Sequence, residues 1–453
     1  MRLSSKLPVE RIRSTWENIE ASLWFIPTMF AGFAVLLSVL LPELDRRVAD
    51  DVGRQREWIF SGTADAARTI LSVIAGSLIT VISLLFSITV LTLQQASTQF
   101  SPRVMRKFTS DRGSQNVLGI YIATFLYALL VLRQIQGEDS PVGTFIPILS
   151  VTVAIIFALI CMGALVYFIH HIANLLQAST IIQSIQHELL DAIDHLYPAK
   201  IGEPVDLNDP HDPRDDIAAF RSQIEGGNRG TIVGSTSAGY LRSLDESGLA
   251  AALPEGAWAI VHAPVGHFVI RGTPLVEVGG VDIADDEQYE RLNSAFVLDR
   301  QRSLSQDPLF AVRQLVDIAL KALSPAINDP TTAEHVISAL GDGLARLMVR
   351  PFPSRIRVIE HDGQHHACWI NRPRLDEYVA ESFDQIRRIA TDNVHVTLYL
   401  LDTIAAIGPH APVERWSHLC EQVDAIVEAV QMLDVPERDM RLLQERIDLV
   451  RDR

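Results

Sequence analysis

Three groups of residues in this chain have the types and spacing that chemistry requires. The first is a charged ladder, Arg313, Asp317 and Lys321, which steps by four and so lies on one face of a helix. It leads into "LSPAINDPTTAEH" at 323–335, where Asn328, Asp329 and Thr331 add polar groups at a corner between two helical runs. As chemistry, this is a ligand-binding corner, with the amides that open the second helix available to an anion. As architecture, Ser324-Pro325 stops one helix, and Asp329 caps the next with Pro330 in its first position.

The second group is Ser72, Gly76, Thr80, Ser83 and Ser87, recurring every three or four residues on one helical face. Small residues at this spacing let helices approach closely, with each hydroxyl bonded to its own backbone. The same stripe would also line a narrow aqueous pore. The third group is His361, His365, His366 and Cys368, on a hairpin at Arg355–Ile370 that turns on Asp362-Gly363. Strand alternation puts His366 and Cys368 on one face and His365 on the other, with no neighbouring acid to complete a ligand set. An ordinary hairpin is therefore expected rather than a metal site.

Other chemistry is not visible. The chain has no Walker A motif, no GxGxxG after a strand, no HExxH and no GxSxG. We therefore assign no catalytic residue, cofactor or metal, and expect a non-enzymatic protein. Cys161 lies in an apolar run, while Cys368 and Cys420 are distant in sequence and no CxxC occurs. Neither a zinc knuckle nor a disulfide framework follows, which fits a reducing compartment.

The elements that must position these groups begin in a bilayer. Hydrophobic residues make up 48% of the 453, with a mean hydropathy of +0.18, high for a soluble chain. Four apolar runs, Ala21–Leu41, Ile70–Leu93, Val117–Leu132 (short, extendable at both ends) and Phe145–Ile169, qualify against the roughly 20 residues a helix needs to span ~30 Å of hydrocarbon, the third with least margin. The first is too long, and too diluted by acids at its start, for a signal peptide. None contains Asp, Glu, Lys, Arg or His, which argues against a proton-coupled transporter. The N-terminus and loop 94–116 each carry four basic residues, against one in loop 133–144, so both termini are predicted inside. Loop 42–69 has five Arg and dissents, though its six acids leave it net negative.

Beyond the last run no Gly or Pro intervenes between Gly163 and Pro198, so one helix is predicted to continue past His170-His171 into the cytoplasm. Ile172, Leu175, Ser179, Ile182, Gln186, Leu189, Ile193 and Leu196 give it an apolar seam, for its own domain or for a second subunit. Pro198–Asp216 reads as a solvated linker and lacks the EF-hand pattern for calcium. "TIVGS", "YLRSL", "WAIVHAP" and "HFVIRGTPLVEVG" then read as short strands, and "VGHFVIRGTPLVEV" resembles the hairpins of barrel-sandwich modules such as biotinyl and lipoyl domains. With no Lys between 201 and 320, no such group can be attached there.

The predicted organisation is therefore a four-helix transmembrane domain (1–171), a helical stalk (172–197), a linker (198–229), a small β-rich barrel-like module (230–285) and a mainly helical cytoplasmic domain (286–453). Charge divides with it: residues 1–171 are net +2 and residues 172–453 net −18, and so acidic a C-terminal part excludes nucleic acid.

"QFSPRVMRKFTSDR", "LGIYIATFLYALLVLR", "QDPLFAVRQLVDIALKALSPAINDPTTA" and "SFDQIRRIA" together resemble a bacterial family of predicted membrane proteins catalogued as domain of unknown function 2254. The resemblance runs from the first span to about residue 410, and it implies a multi-pass inner-membrane protein with a cytoplasmic C-terminal region. It implies no activity, cofactor or catalytic residue. Two functions stay open: a homo-oligomeric, channel-like protein gated by its cytoplasmic part, and a membrane-anchored sensor or scaffold binding a small ligand or a protein.

Overall fold

Long apolar sequence without breakers folds as helix, because in hydrocarbon every backbone amide must be satisfied within its own segment. In the computed structural model of the chain, the described residues are 22–48, 62–100, 103–137, 144–198, 229–281 and 285–452, with 218, 220–222, 224 and 283. They form two compact units, divided between Thr180 and Ile181. The linker predicted over Pro198–Asp216 lies, beyond Pro198, outside the described residues, as does the basic N-terminus.

The first unit contains α1 (Phe25–Val48), α2 (Ala64–Gln99), the short α3 (Met105–Thr109), α4 (Arg112–Leu132) and α5 (Ile148–Leu175). The four long helices have the length and hydropathy to cross a membrane. α4 is the inner one: 50% of its most apolar stretch is buried, against 17–22% in the others. Ala67, Leu71 and Ala75 of α2 meet Tyr127, Ala128 and Val131 of α4 and Val151 and Ala154 of α5. Nearer the other end, Leu78 and Leu85 of α2 join Val117 and Tyr121 of α4 and Cys161, Ala164 and Phe168 of α5.

Polar side chains finish the helix ends. Thr63 caps α2 through the Ala66 amide at 3.3 Å. Asp111 caps α4 through the Ser114 amide at 2.7 Å and meets His171 Nε2 of α5 at 2.8 Å. α5 opens at Pro147 without a side-chain cap of its own. Its first amides are met by Asp45 of α1, which accepts from Leu149 N at 2.9 Å, Ser150 N at 3.0 Å and Ser150 Oγ at 2.6 Å.

The helix passes His170-His171 as predicted but does not continue unbroken beyond Leu175. α5 ends at Leu175, and α6 (Ala178–Leu196) begins after a break at Leu176–Gln177. Asn174, Gln177, Ser179 and Thr180 surround the break, and Asn, Ser and Thr compete with the helical backbone through their own side chains.

In the second unit, α6 from Ile181 onward buries Ile181, Ile182, Ile185, Leu189 and Ile193 against its own chain. Its neighbour is α10 (Pro330–Met348). Two glycines make α10 a close-packed centre: a Cβ on Gly343 would stand 2.9 Å from Leu189 of α6, and one on Gly341 would stand 2.5 Å from Thr403 of α12 (Val394–Ile407). Gln186 donates to Asp342 at 2.7 Å, and Asp194 holds Arg346 through both oxygens and Arg350 at 2.6 Å. The hydrogen bond from Arg346, with both guanidinium charges, keeps the Asp194 carboxyl below its usual range. Around this centre lie α9 (Pro308–Ala322), α11 (Leu375–Ala390), α13 (Val413–Gln431) and α14 (Glu437–Arg451). Arg415 of α13 donates to the carbonyls of Leu347, Met348 and Arg350 at 3.3, 2.7 and 2.7 Å, satisfying the orphan end of α10.

The strands are β1 (Thr231–Gly234), β2 (Gly239–Leu244), β3 (Trp258–Val261), β4 (Phe268–Val269), β5 (Pro274–Gly279), β6 (Phe296–Asp299), β7 (Ile356–His361) and β8 (Gln364–Ile370), with α7 (Glu246–Ala252) and α8 (Asp286–Ser294) between. They do not close into the barrel-like module predicted for 230–285. One sheet runs β1-β5-β3-β8-β7 and a second β4-β2-β6, so β1 and β7 are open edges. The reason is the β7–β8 hairpin. It turns at Asp362 (φ 50°) and Gly363 (φ 75°) as predicted, but β8 then pairs in parallel with β3. Cys368 and Ile370 thereby enter the core beside Ala259 and Val261, which a free surface hairpin would have left wet. Burial pushes the Cys368 thiol up to about 12. His366 is buried too, its Nδ1 3.0 Å from the Ala257 carbonyl.

Candidate functional site

α2 carries the feature with the clearest functional geometry. Its buried line is Ala67, Leu71, Ala75, Leu78, Leu85, Thr92 and Ala96. Ser72, Gly76, Thr80, Ser83 and Ser87 are all exposed, on the opposite side of the helix from that line. At 3.6 residues per turn, the same row continues through Asp65 and Thr69 at one end and Val90, Gln94 and Thr98 at the other, every one exposed. Nine of these ten side chains are polar or small. Asp65, Thr69, Gln94 and Thr98 lie beyond the ends of the apolar run Ile70–Leu93, although the three-and-four step passes through them.

Apolar ridges flank the row. Val73, Leu84 and Leu91 stand on one side, and Ile79 and Phe86 on the other, each between 46 and 65% exposed. Within the row the hydroxyls turn back on the helix: Thr80 donates to Gly76 O at 3.4 Å, Ser83 to Ile79 O at 3.0 Å and Ser87 to Ser83 O at 2.9 Å. That arrangement satisfies each O–H in hydrocarbon while leaving the hydroxyl oxygen's acceptor capacity facing out. Nothing lies within 4 Å of where a Gly76 Cβ would be, so the row is open along its middle. With 36 residues, α2 is about 54 Å long at 1.5 Å per residue, well beyond the ~30 Å of a hydrocarbon core.

The ladder and the corner resolve differently. Arg313 meets Asp317 at 3.0 Å and Glu381 of α11 at 3.3 Å, so its charge ties α9 to α11. Lys321, Asn328 and Thr331 are exposed. Asn328 takes the left-handed conformation (φ 47°), which Asn tolerates better than most residues, and its amide donates to Ser324 O at 2.9 Å. Asp329 accepts from Thr332 N at 3.1 Å and from Thr332 Oγ1 at 2.7 Å, so both its oxygens are used on the helix start. Replacing Asp329 with Ala is expected to lower stability by about 1 kcal/mol, measured as a fall in melting temperature, while leaving any membrane activity unchanged. Among the described residues, no group of three His, Cys, Asp or Glu is placed to hold a metal ion.

Four helices able to cross a bilayer, followed by a mixed helix-and-sheet region, define the class: a multi-pass membrane protein. Within it the particular family is shown by residues 20–406, which match the predicted membrane protein family DUF2254, and the chain belongs to that family. It is similar to uncharacterized proteins of Mycobacterium bovis (strain ATCC BAA-935 / AF2122/97) and Mycobacterium tuberculosis (strain ATCC 25618 / H37Rv). Each is 29% identical over 446 residues, covering 96% of this chain and 81% of the relative. No solved structure matches the chain.

Proposed function

We propose that the protein is a homo-oligomeric, channel-like protein of the bacterial inner membrane, in which α2 of each copy faces a shared, water-containing axis. One observation carries the reading: the long polar row of α2 is turned away from the chain's own core and bordered on both sides by apolar ridges. A helix that only faced lipid would gain nothing from the row of small and hydroxyl residues between Ser72 and Ser87. A helix at a pore needs that row in the middle and apolar flanks against its neighbours. Both termini are cytoplasmic in this reading, and residues 181–453 serve as the gating or regulatory part, without enzymatic activity.

Ion flux through purified protein in liposomes tests this. Ser83→Phe, in the centre of the row, is expected to cut flux at least tenfold, whereas Val73→Phe on the flank changes it little. Wild-type protein that passes no ion under any voltage, tension or pH tried would overturn the reading.

A further inference from the structure

The C-terminal half is strongly acidic, yet residues 350–374 carry five Arg against one Glu and one Asp. Two of these arginines come together without matching counter-charge. Arg357 on β7 and Arg372, just after β8, both reach Glu246 at the start of α7. The carboxylate serves them unequally, at 2.6 Å to Arg372 Nη2 and 3.5 Å to Arg357 Nη1. All three side chains are between 24 and 29% exposed, so one unit of positive charge in excess sits in a half-desolvated place.

The donors are in excess as well. Each guanidinium carries five N–H groups; Arg357 places two, on Glu246 and on Ser354 O at 3.2 Å, and Arg372 places one. The Glu377 carboxylate accepts from the backbone amide of Arg374 at 3.2 Å and forms no ion pair with either arginine. Burial, and then the charge of Arg372, lowers the Arg357 pKa from its ordinary value, with Glu246 opposing in part. Beside the pair, Tyr197, which follows the last turn of α6, donates to Pro373 O at 3.2 Å.

We propose that Arg357 and Arg372 form a binding site for a phosphate-bearing anion, with Glu246 as the internal carboxylate that such a ligand displaces. Two guanidinia present planar pairs of donors to which a phosphate group is well matched, and one dianion would relieve both the like-charge contact and the unused N–H groups. The site is separate from the α2 row and stands whether or not that row conducts. Tyr197, which the pair adjoins, is itself buried at the end of α6.

The test uses full-length protein in detergent at constant ionic strength, titrated with inorganic pyrophosphate, with melting followed by tryptophan fluorescence. Wild-type protein shows a saturable rise in Tm. Arg357→Gln and Arg372→Gln each weaken half-saturation by at least about tenfold, the usual cost of a charged hydrogen bond, whereas the exposed Arg388→Gln leaves it unchanged. The decisive variant is Glu246→Gln. Freed of competition, its two arginines bind pyrophosphate more tightly than the wild type, whereas a purely structural ion-pair triad gives lower stability and no gain in affinity. A parallel titration with a short-chain anionic phospholipid below its micelle concentration separates a headgroup from a soluble phosphate as the source. Absence of a saturable response to either probe in the wild type, or a Glu246→Gln variant that binds no more tightly, overturns the proposal.

Discussion

Arg302→Met is expected to destabilise residues 181–453 by about 3–5 kcal/mol at pH 8, because it strands a buried carboxylate. Arg302 grips Asp307 through Nε at 2.8 Å and Nη2 at 3.0 Å, and its guanidinium lies 5.1 Å from the centroid of the Phe310 ring. Asp307 is only 3% exposed. Gly266 (φ 87°) closes over the pair so tightly that a Cβ there would overlap the Asp307 carboxyl. Burial raises the Asp307 pKa above the ordinary carboxylate value, with Arg302 holding it down in part. A carboxyl whose folded pKa is raised binds its proton more readily in the native state, so its contribution to stability falls as pH rises through that value. Without Arg302 the folded pKa climbs further. The deficit of the variant is therefore largest at pH 8 and narrows as the pH is lowered toward 5. Melting curves across that range check it; a pH-independent deficit, or one below about 1 kcal/mol, would count against this account of the pair.

The second large effect is expected in the other unit. Asp45→Ala removes the acceptor for two backbone amides and the Ser150 hydroxyl at the start of α5. Pro147 offers that helix no side-chain cap, so nothing replaces the lost carboxylate. Ser150 is fully buried, and the cost of leaving such donors unmet is about 3 kcal/mol. Asp45→Asn keeps an oxygen acceptor and should lose about half as much. The readout is thermal unfolding in detergent, with Asp45→Ala melting well below Asp45→Asn. Equal melting temperatures for the two variants would show that the capping bonds do not carry the effect.

What could be read in the chain beforehand depended on how local the signal was. The four apolar runs and the Asp329 cap are local, and the spacing of residues alone specifies them. So is the step of Ser72, Gly76, Thr80, Ser83 and Ser87, but not the direction it faces. Leu78 and Leu85 are buried while Leu84 and Leu91 are exposed, and in a bilayer the same residue type suits both places. The break after Leu175 involves no Gly or Pro, so no breaker residue announces it. The barrel expectation failed on a non-local pairing: β8 joins β3 across more than a hundred residues, and nothing in the hairpin's own alternation announces it. Asp45 and Arg415 were missed for the same reason. Each meets the unsatisfied end of a helix distant in sequence, Asp45 the uncapped start of α5 and Arg415 the last carbonyls of α10.

The central claim is that the polar row of α2 faces water inside an oligomer. Single cysteines placed along α2, in a background with Cys161, Cys368 and Cys420 replaced, can be probed in membranes with a charged, membrane-impermeant thiol reagent. Labelling is expected at 72, 76, 80, 83 and 87, with little at the flanking positions 73, 84 and 91 or the buried positions 71, 78 and 85. Protection of all five row positions, or labelling no greater there than at 73, 84 and 91, would contradict it.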